Sequence, residues 1–170
     1  MTAVIDKKGF RSGVGIIVMN DRQELLWLKR IGQEAWQFPQ GGMLENESSQ
    51  AAMFRELHEE VGLSPEDVEI VAVTSGWLKY RLPEKFIRHH SKPLCLGQKQ
   101  KWYLLKFVGE ESHIVFDKTD SPEFDHWKWI NYWGPMKGVI DFKRDVYRLA
   151  LKHFQPYVFP AKHYHYRRRK

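Results

Sequence analysis

Residues 41–63 constrain this chain more than any other stretch, because glycines and charged residues recur there at fixed intervals. The stretch reads GGMLENESSQAAMFRELHEEVGL and fits the spacing G-x5-E-x7-R-E-U-x-E-E-x-G-U, where U is a bulky apolar residue. Ser48 or Ser49 is a suitable N-cap, and the alanines that follow are good helix formers. Gly62 stands where a glycine in the left-handed conformation would end that helix. The stretch therefore predicts a glycine-rich loop followed by one helix.

The predicted helix has one apolar side and one acidic side. At about 100° of rotation per residue, Phe54, Leu57 and Val61 fall within roughly 60° of one another and form the expected buried stripe. The acids that fall on the nearly opposite side, within roughly 100° of arc, are Glu56, Glu59 and Glu60. Carboxylates at this spacing repel one another, and a hard cation such as Mg²⁺ reverses that sign. Two interpretations follow, a divalent-metal site and a solvated acidic face. The preceding run, residues 39–42 (PQGG), favours the metal site because its glycines permit close approach of a ligand.

Length and composition favour a single soluble domain. With 170 residues, 42% hydrophobic content and 14% aromatic content, the chain is long enough for one core. We expect this domain to span residues 1–160 and a basic tail to span residues 161–170. The one cysteine, Cys95, excludes an internal disulfide and a cysteine metal cluster. No stretch has the character of a signal peptide or a membrane span, so we expect a cytoplasmic protein with no membrane partner.

The net charge of +6 is unevenly distributed along the chain. Residues 167–170 supply +4 of it, and residues 79–101 hold seven Lys or Arg against one acid, Glu84. A basic surface beside an acidic metal site suits a polyanion whose phosphates also need metal. For either segment alone, a lysine-rich loop without such a partner is the alternative interpretation.

Hydrophobic periodicity predicts strands, a helix, further strands and a second helix, which indicates an α/β or α+β fold. The strands are expected at 11–20, 24–30, 36–38, 68–78, 99–108 and 123–131. Residues 79–98 show no clear period and are expected to form a long loop. The second helix is expected over 141–154, followed by a flexible extension from Gln155. The residues that recur at helical spacing within it are Val146, Leu149, Ala150 and His153.

The spacing in residues 41–63 resembles the box of the Nudix hydrolases, which cut phosphoanhydride bonds in nucleoside-diphosphate-X substrates with divalent metal. Outside this box the chain resembles the bacterial RNA pyrophosphohydrolases, which are related to the plant-type dinucleoside polyphosphate hydrolases. The segments that carry this narrower resemblance are residues 9–11, 36–42, 77–83, 97–102, 123–125 and 142–147. One departure is Ala35, where family members often have a small hydroxyl residue. The resemblance implies the Nudix fold, a mixed β-sheet sandwiched between α-helices.

The resemblance also implies a reaction and a metal site. Terminal phosphates would be removed from 5′-triphosphorylated RNA, as pyrophosphate, or from diphosphorylated RNA, and the 5′-monophosphate end that remains would start mRNA decay. The implied cofactors are two or more Mg²⁺ or Mn²⁺ ions. The implied ligands are Glu56, Glu59, Glu60 and Glu123, with a backbone carbonyl near Gln40 or Gly41. Of these glutamates, Glu56 is the preferred acceptor of a proton from the attacking water.

Further roles follow from the same resemblance. The positions that match residues contacting the RNA 5′ end are Arg11, Arg30, Tyr80 and Lys143. Arg11 and Lys143 suit phosphates, and Tyr80 suits stacking on an unpaired base. The residues expected to border the base pocket are Gln98, Ile140 and Phe142. Glu47 and Arg55 are expected to form a structural ion pair, and Gly62 to end the helix.

The sequence leaves other functions open. A hydrolase of dinucleoside polyphosphates, such as diadenosine tetra- or pentaphosphate, would use the same box. An RNA-binding module with an inactive site is the alternative from another class, although every acid of the box is present. A third hypothesis is that residues 167–170 tether the protein to RNA or to a protein partner. A stimulatory protein partner is also left open.

Overall fold

The chain folds as a β-sheet with a long helix on each face. The computed structural model describes residues 3–160. Its strands are β1 (Phe10–Met19), β2 (Leu25–Arg30), β3 (Trp36–Gln37), β4 (Gln40–Gly42), β5 (Val68–Val73), β6 (Leu78–Arg81), β7 (Gly97–Phe107) and β8 (Phe124–Ile130). Its α-helices are α1 (Ser49–Val61), α2 (Pro135–Gly138) and α3 (Asp141–Val158).

The eight strands form one mixed sheet. At its centre β1 and β7 run parallel, in a register that joins Phe10 to Gly97 and Met19 to Lys106. β2 pairs antiparallel with both β3 and β8, while β5 and β6 both pair antiparallel with β7. β4 pairs antiparallel with the first half of β1, where Gly13 lies opposite Gly42. This last pairing brings the loop before α1 next to the beginning of β1.

Alternate residues of the central strands supply the two halves of the core. Ile16 of β1 packs in one cluster with Leu57 of α1, whereas its neighbour Ile17 packs in a second cluster with Tyr147 and Phe154 of α3. All five side chains are almost completely buried. A strand covered on both faces has no polar side, which explains its continuous apolar sequence. The expected mixed sheet between α-helices is confirmed.

The ends of α1 are set by the residues that the sequence indicates. The Ser48 hydroxyl accepts a hydrogen bond from the Ala51 N–H at 3.1 Å, and Gly62 has a φ of 81°. The Gly62 N–H donates to the His58 carbonyl at 2.9 Å and closes the last turn. Within the expected stripe, Leu57 and Val61 are fully buried and Phe54 is partly buried.

The structure corrects the prediction of one strand over 68–78 followed by a loop over 79–98. β5 ends at Val73, and β6 (Leu78–Arg81) lies inside the expected loop. Thr74 follows β5 and contacts the backbone of Trp102 twice. Its N–H donates to the Trp102 carbonyl and its hydroxyl accepts from the Trp102 N–H, each at 2.9 Å. In β6 only Tyr80 is buried, so the strand has no apolar period that the sequence would show.

The prediction for the second helix was wrong at its end, and two of the four residues that recur at helical spacing are exposed. α3 continues to Val158, so Gln155 is helical, and the burial of Val158 offsets the N–H that Pro156 lacks. Leu149 is 49% exposed and His153 is also exposed. The residues that actually form the buried stripe are Val146, Tyr147, Ala150, Leu151, Phe154 and Val158.

The basic tail expected at residues 161–170 lies outside the described residues. Within residues 3–160, none of the helices combines the length and the apolar character that crossing a membrane requires.

Candidate active site

Two neighbouring glycines allow two charged side chains to lie against the backbone of β4. A Cβ atom on Gly41 would lie 1.9 Å from Cδ of Glu56, and one on Gly42 would lie 2.2 Å from Nη2 of Arg11. Neither glycine has a positive φ, so the reason for glycine here is close approach and not backbone conformation. The two glycines therefore leave room for a glutamate side chain from α1 and an arginine side chain from β1.

These residues line a polar pocket of about 250 Å³, which we call the acidic pocket. Its other lining residues are Arg30, Gln37, Gln40, Glu60, Gln98 and Glu123. The pocket thus gathers Glu56, Glu60 and Glu123 from the predicted glutamates, together with two of the predicted arginines. It places carboxylates and guanidinium groups around one cavity, as a metal–phosphate site requires.

Glu60 is the most deeply buried of the three glutamates that line the acidic pocket. Its residue is 8% exposed, and its Oε2 accepts a hydrogen bond from the Gln40 backbone N–H at 3.1 Å. Burial raises the pKa of the Glu60 carboxyl well above its usual value, and repulsion from Glu123 and Glu56 raises it further. Glu60 therefore carries a negative charge readily only when a cation offsets that repulsion.

Arg55 holds the other end of the acidic cluster. Its Nε and Nη2 donate to the Glu47 carboxylate at 2.7 and 2.9 Å, and its Nη1 donates to Glu56 Oε1 at 2.7 Å. Its Nη2 also donates to the Gly42 carbonyl at 2.8 Å. These contacts lower the pKa of the Glu47 carboxyl, whereas burial raises the pKa of Glu56 despite its bond to Arg55. The guanidinium thus ties the loop before α1 to the acidic side of the helix.

The structure does not bring Glu59 into the pocket. Its side chain is 46% exposed, and its Oε2 lies 3.5 Å from Nη1 of Arg55. Within residues 3–160, no three acidic, histidine or cysteine side chains already form a complete metal-binding group. A complete ligand set would need Glu59 to turn inward, and Glu56 would offer its Oε2 because its Oε1 is bonded to Arg55.

The donor chemistry of the pocket nevertheless fits a hard divalent cation. The available ligand atoms are carboxylate and backbone oxygens, which Mg²⁺ and Mn²⁺ prefer. Burial and mutual repulsion raise the pKa values of both Glu56 and Glu60, which is the electrostatic arrangement that a cation would relieve. Gly41 leaves the Glu56 carboxylate directly beside backbone that also lines the pocket.

Basic side chains flank the acids. Arg11 Nε is fully buried and has no hydrogen-bond partner among the described residues. Arg30 Nη1 lies 3.8 Å from Glu123 Oε2, and Lys143 Nζ lies 3.4 Å from Gln37 Oε1. Burial, aided by repulsion from Arg30, lowers the pKa of Lys143 to about 8. These groups are available to an anion that enters the pocket.

A second pocket of about 260 Å³ adjoins the first, and we call it the aromatic pocket. The two pockets share Arg30 and Gln37. The lining of the aromatic pocket includes Phe86, Ile140, Phe142 and Lys143. Ile140 is 47% exposed there, so an apolar surface is open to a ligand beside the basic groups.

Tyr80 does not line either pocket with its ring. It is 7% exposed, and its ring packs against Phe142 with the centroids 5.7 Å apart. The stacking of a base on Tyr80 therefore has no open ring face in this structure. Burial raises the pKa of the Tyr80 hydroxyl to about 12.

Two buried glutamines at the site were missed by sequence reasoning. Gln37 is 5% exposed and lies within hydrogen-bond distance of both Arg30 and Lys143. Gln100 is fully buried, and its Nε2 donates to Gln40 Oε1 at 3.5 Å. Alternation with apolar neighbours suggests an outward polar face for such residues. Only the packing on both faces of the sheet shows that Gln37 lines the acidic pocket and that Gln100 contacts Gln40, which also lines it.

Sequence comparison gives the chain's relatives. The NUDIX domain matches residues 9–149. The chain is 56% identical over 156 residues to the RNA pyrophosphohydrolase of Hahella chejuensis, which covers 92% of this chain and 97% of that protein. It is also 56% identical over 153 residues to the RNA pyrophosphohydrolase of a Marinomonas species, covering 90% of this chain and 95% of that one.

Solved structures with the same fold are more distant in sequence. The E. coli dihydroneopterin triphosphate pyrophosphohydrolase superposes with a TM-score of 0.67 at 21% identity, over 84% of this chain and 93% of that one. A C. elegans Ap4A hydrolase, in a binary complex, superposes with a TM-score of 0.62 at 19% identity, over 86% and 96%. At these identities the likeness concerns the fold alone.

Proposed function

The chain belongs to the NUDIX family, and from this premise we propose that it is an RNA pyrophosphohydrolase. It removes the terminal phosphates of 5′-triphosphorylated or diphosphorylated RNA and leaves a 5′-monophosphate. The observation that carries this assignment is the 56% identity to RNA pyrophosphohydrolases over at least 90% of the chain. The acidic pocket, with its flanking arginines, supplies a site for the reaction.

NUDIX hydrolases use divalent metal ions, and we propose two or more Mg²⁺ or Mn²⁺ ions for this one. When bound, such ions neutralise phosphate oxygens and lower the pKa of a water. Glu56, Glu60 and Glu123 would hold them, with Glu59 turning in from the rim and a carbonyl of Gln40 or Gly41 as a further ligand. The raised pKa values of Glu56 and Glu60 support this proposal.

Glu56 is the proposed acceptor of the proton from the attacking water. Its carboxylate lies beside Gly41, in the pocket, and Arg55 fixes its position through a 2.7 Å hydrogen bond. Because burial raises its pKa, the protonated form is less costly here than for a glutamate in water. Glu47 acts on this step only through Arg55, which it orients.

The basic residues are proposed to hold the polyphosphate. Arg11, whose buried Nε has no hydrogen-bond partner in the described chain, and Arg30 both line the acidic pocket beside the carboxylates. Lys143 extends the positive surface into the aromatic pocket. Such fixed cations neutralise charge that develops on the departing phosphate, so they favour the transition state.

The aromatic pocket is proposed to receive a nucleotide at the RNA 5′ end. Unpaired RNA ends are bound by stacking on aromatic and guanidinium planes, and Phe142 and Arg30 offer both. Gln98 borders the acidic pocket on the opposite side, by Arg11. A 5′-monophosphate product is the end at which nucleases begin, so we propose that the enzyme initiates mRNA decay in the cytoplasm.

The assignment is tested by comparing two substrates at equal enzyme concentration. One is an RNA oligonucleotide with a 5′-triphosphate, and the other is diadenosine tetraphosphate. We expect the larger kcat/KM for the RNA, with the same RNA bearing a 5′-monophosphate as the unreactive control. A larger kcat/KM for the dinucleotide at low concentration would contradict the proposal and make dinucleoside polyphosphates the main substrate.

A further inference from the structure

Positive side chains are gathered on one face of strands β6 and β7. The two strands pair antiparallel, and Lys79 lies directly opposite Lys99 in their register. Paired residues have their side chains on the same face of a sheet, and so do residues two positions further along each strand. The same face therefore also carries Arg81 of β6 and Lys101 of β7. We call these four residues the basic row: Lys79, Arg81, Lys99 and Lys101.

The basic row lies on the face of the sheet that α1 covers further along. Tyr103, two residues after Lys101 in β7, packs in one core cluster with Leu57 of α1. The alternate residues of both strands have the opposite orientation. Gln98 of β7 lines the acidic pocket, and Tyr80 of β6 packs in the core cluster of α3. The basic row and the acidic pocket thus use opposite faces of the same two strands.

Most of the basic row has no counter-charge in the protein. Lys99 Nζ pairs with Asp6 at 3.0 Å. Within residues 3–160, no carboxylate oxygen lies within 4.0 Å of the charged nitrogens of Lys79, Arg81 or Lys101. Like charges directly opposite each other destabilise a pair of strands, so this arrangement costs free energy in the protein alone. A bound polyanion would offset that cost.

Protection of a sheet edge accounts for only half of the basic row. Lysines on an edge strand hinder its pairing with other chains, and β6 is such a strand, since in the described part of the chain it pairs with β7 alone. β7, however, has β1 on one side and β6 on the other. Lys99 and Lys101 therefore lie on a strand that has no edge to protect there.

An aromatic ring lies beside these cations. Trp77, in the loop before β6, is half-buried, and the Nζ atoms of Lys99 and Lys101 lie 5.1 and 5.3 Å from its ring centroid. Cations next to a partly exposed ring suit single-stranded nucleic acid, because the cations follow the phosphates while the ring stacks on a base. Alternate residues of a strand are about 6.6 Å apart, a step similar to that between successive phosphates of an extended single strand.

The basic row is within reach of an RNA whose 5′ nucleotide lies in the aromatic pocket. Phe142 of that pocket contacts both Tyr80 and Phe86, with ring centroids 5.7 Å apart in each pair. Phe86 is 46% exposed, and Tyr80 stands between Lys79 and Arg81 in β6. Because β6 is an edge strand, its two faces are joined around that edge. An RNA that leaves the pocket over Phe86 reaches the basic row by crossing it.

We propose that the basic row binds the single-stranded RNA that follows the 5′ end, through its phosphates and without regard to sequence. This inference rests on the proposed function, which places the 5′ phosphates in the acidic pocket. Lys79, Arg81 and Lys101 contact phosphates, and Trp77 stacks on a base. The enzyme therefore acts more efficiently on long RNAs than on short 5′-triphosphorylated fragments, because only a longer chain reaches the row.

The first test compares two lengths of substrate. One is a 5′-triphosphorylated RNA of about 12 nucleotides, and the other is a 5′-triphosphorylated dinucleotide, which ends before the basic row. For the double variant Lys79→Ala with Lys101→Ala, we expect kcat/KM on the longer RNA to fall by about tenfold, as for the loss of two exposed ion pairs. The value for the dinucleotide should change by less than about twofold. Since like charges are removed, the melting temperature should be unchanged or higher.

The matched control is Lys118→Ala with Lys152→Ala, which removes the same net charge. Both lysines are exposed and form no ion pair within the described residues, so we expect no change on either substrate. Lys79→Arg with Lys101→Arg keeps the charges and should retain the preference for the longer RNA. An equal fall on both lengths for the double alanine variant, or no fall on the longer RNA, would overturn the proposal.

The second test does not depend on hydrolysis. Fluorescence anisotropy gives the Kd of the same RNA bearing a 5′-monophosphate at several salt concentrations. Each lost phosphate contact reduces the slope of log Kd against log salt concentration by about 0.7 for a single strand, so we expect the double alanine variant to lose about 1.4. An unchanged slope would contradict the inference. If the unsubstituted enzyme binds this RNA with the steeper slope but does not hydrolyse the triphosphorylated form, the proposed function fails separately.

Discussion

The carboxylate of Glu60, in the last turn of α1, accepts a 3.1 Å hydrogen bond from the backbone N–H of Gln40 in β4. This bond joins the two ends of the motif, since β4 opens it and the last turn of α1 closes it. It also fixes the most buried carboxylate beside Glu56 and Glu123, which repel it. The local fold therefore brings together carboxylates whose mutual repulsion a bound cation would offset.

The first prediction concerns pH and metal. The pKa values of Glu56 and Glu60 are raised in the folded state above the usual 4.5. Their contribution to the free energy of unfolding is therefore fully present below pH 4.5 and is lost as pH rises through the raised values. We expect added Mg²⁺ to restore it, so the rise in melting temperature with Mg²⁺ should be several degrees at pH 7.5 and near zero at pH 4.5.

Thermal unfolding with Mg²⁺ and with EDTA measures this difference at each pH. The difference in melting temperature between Mg²⁺ and EDTA reports on Glu56 and Glu60. Asp67 and Glu47, whose pKa values are lowered, change the melting temperature equally with Mg²⁺ and with EDTA. A Mg²⁺ effect of the same size at pH 4.5 and pH 7.5 would show that the ion binds elsewhere.

The second prediction tests whether the close approach of Glu56 to the backbone of Gly41 is needed for catalysis. A methyl group at Gly41 would overlap the Glu56 carboxylate, whose flexible end is free to move away, so the fold should survive. We expect Gly41→Ala to lower kcat by about a hundredfold, as misplacement of a catalytic group does, while the melting temperature changes little. Gly76→Ala is the matched control, because no atom lies within 4 Å of the added Cβ.

The third prediction concerns Lys143. Burial, then repulsion from Arg30, lowers its pKa from 10.5 to about 8. A lowered pKa means that this lysine loses its proton at a pH where an exposed lysine stays charged. We expect kcat/KM on triphosphorylated RNA to fall above pH 8. In Lys143→Arg the side chain stays charged at all accessible pH values, so the fall should move to higher pH. An unchanged pH profile would remove Lys143 from phosphate binding.

The fourth prediction concerns the guanidinium of Arg55, which bonds to two carboxylates at once. Its side chain is 26% exposed and makes two bonds to Glu47 and one to Glu56. Lysine keeps the charge but cannot donate to both carboxylates from one planar group. We therefore expect Arg55→Lys to lower the free energy of unfolding by about 2 kcal/mol. Chemical denaturation gives the value. Arg148→Lys, which alters an exposed pair with Asp145, should change it by less than about 0.5 kcal/mol.

The sequence predicted α1 and its surroundings well because spacing and capping act locally. Ser48, Gly62 and the apolar stripe depend on neighbours within a few residues, and each is found where it was expected. The continuous apolar run of β1 likewise predicts a strand that is covered on both faces. The fold class follows from this order of elements.

Other features depend on contacts between distant parts of the chain. Glu59 is 46% exposed and pairs with Arg55, whereas Glu56 and Glu60 line the pocket. The burial of Tyr80 follows from Phe142, which lies on another element. α3 runs past Pro156 because Val158 reaches the core. No spacing in the sequence reports these three relationships, so neither periodicity nor the family resemblance predicted them.

The most direct test of the account is the charge of Glu60 during hydrolysis. The variant Glu60→Gln keeps the size of the side chain and removes the charge that a cation would bind, and Glu69→Gln, on the exposed surface of β5, is its control. With Mg²⁺ and 5′-triphosphorylated RNA, chromatography of the RNA product should show conversion to the 5′-monophosphate by the unsubstituted enzyme and by Glu69→Gln. We predict at least a hundredfold slower conversion by Glu60→Gln, with a melting temperature in EDTA that is unchanged or higher. Conversion by Glu60→Gln at the unsubstituted rate would contradict the central claim that buried carboxylates offset by bound cations perform the reaction.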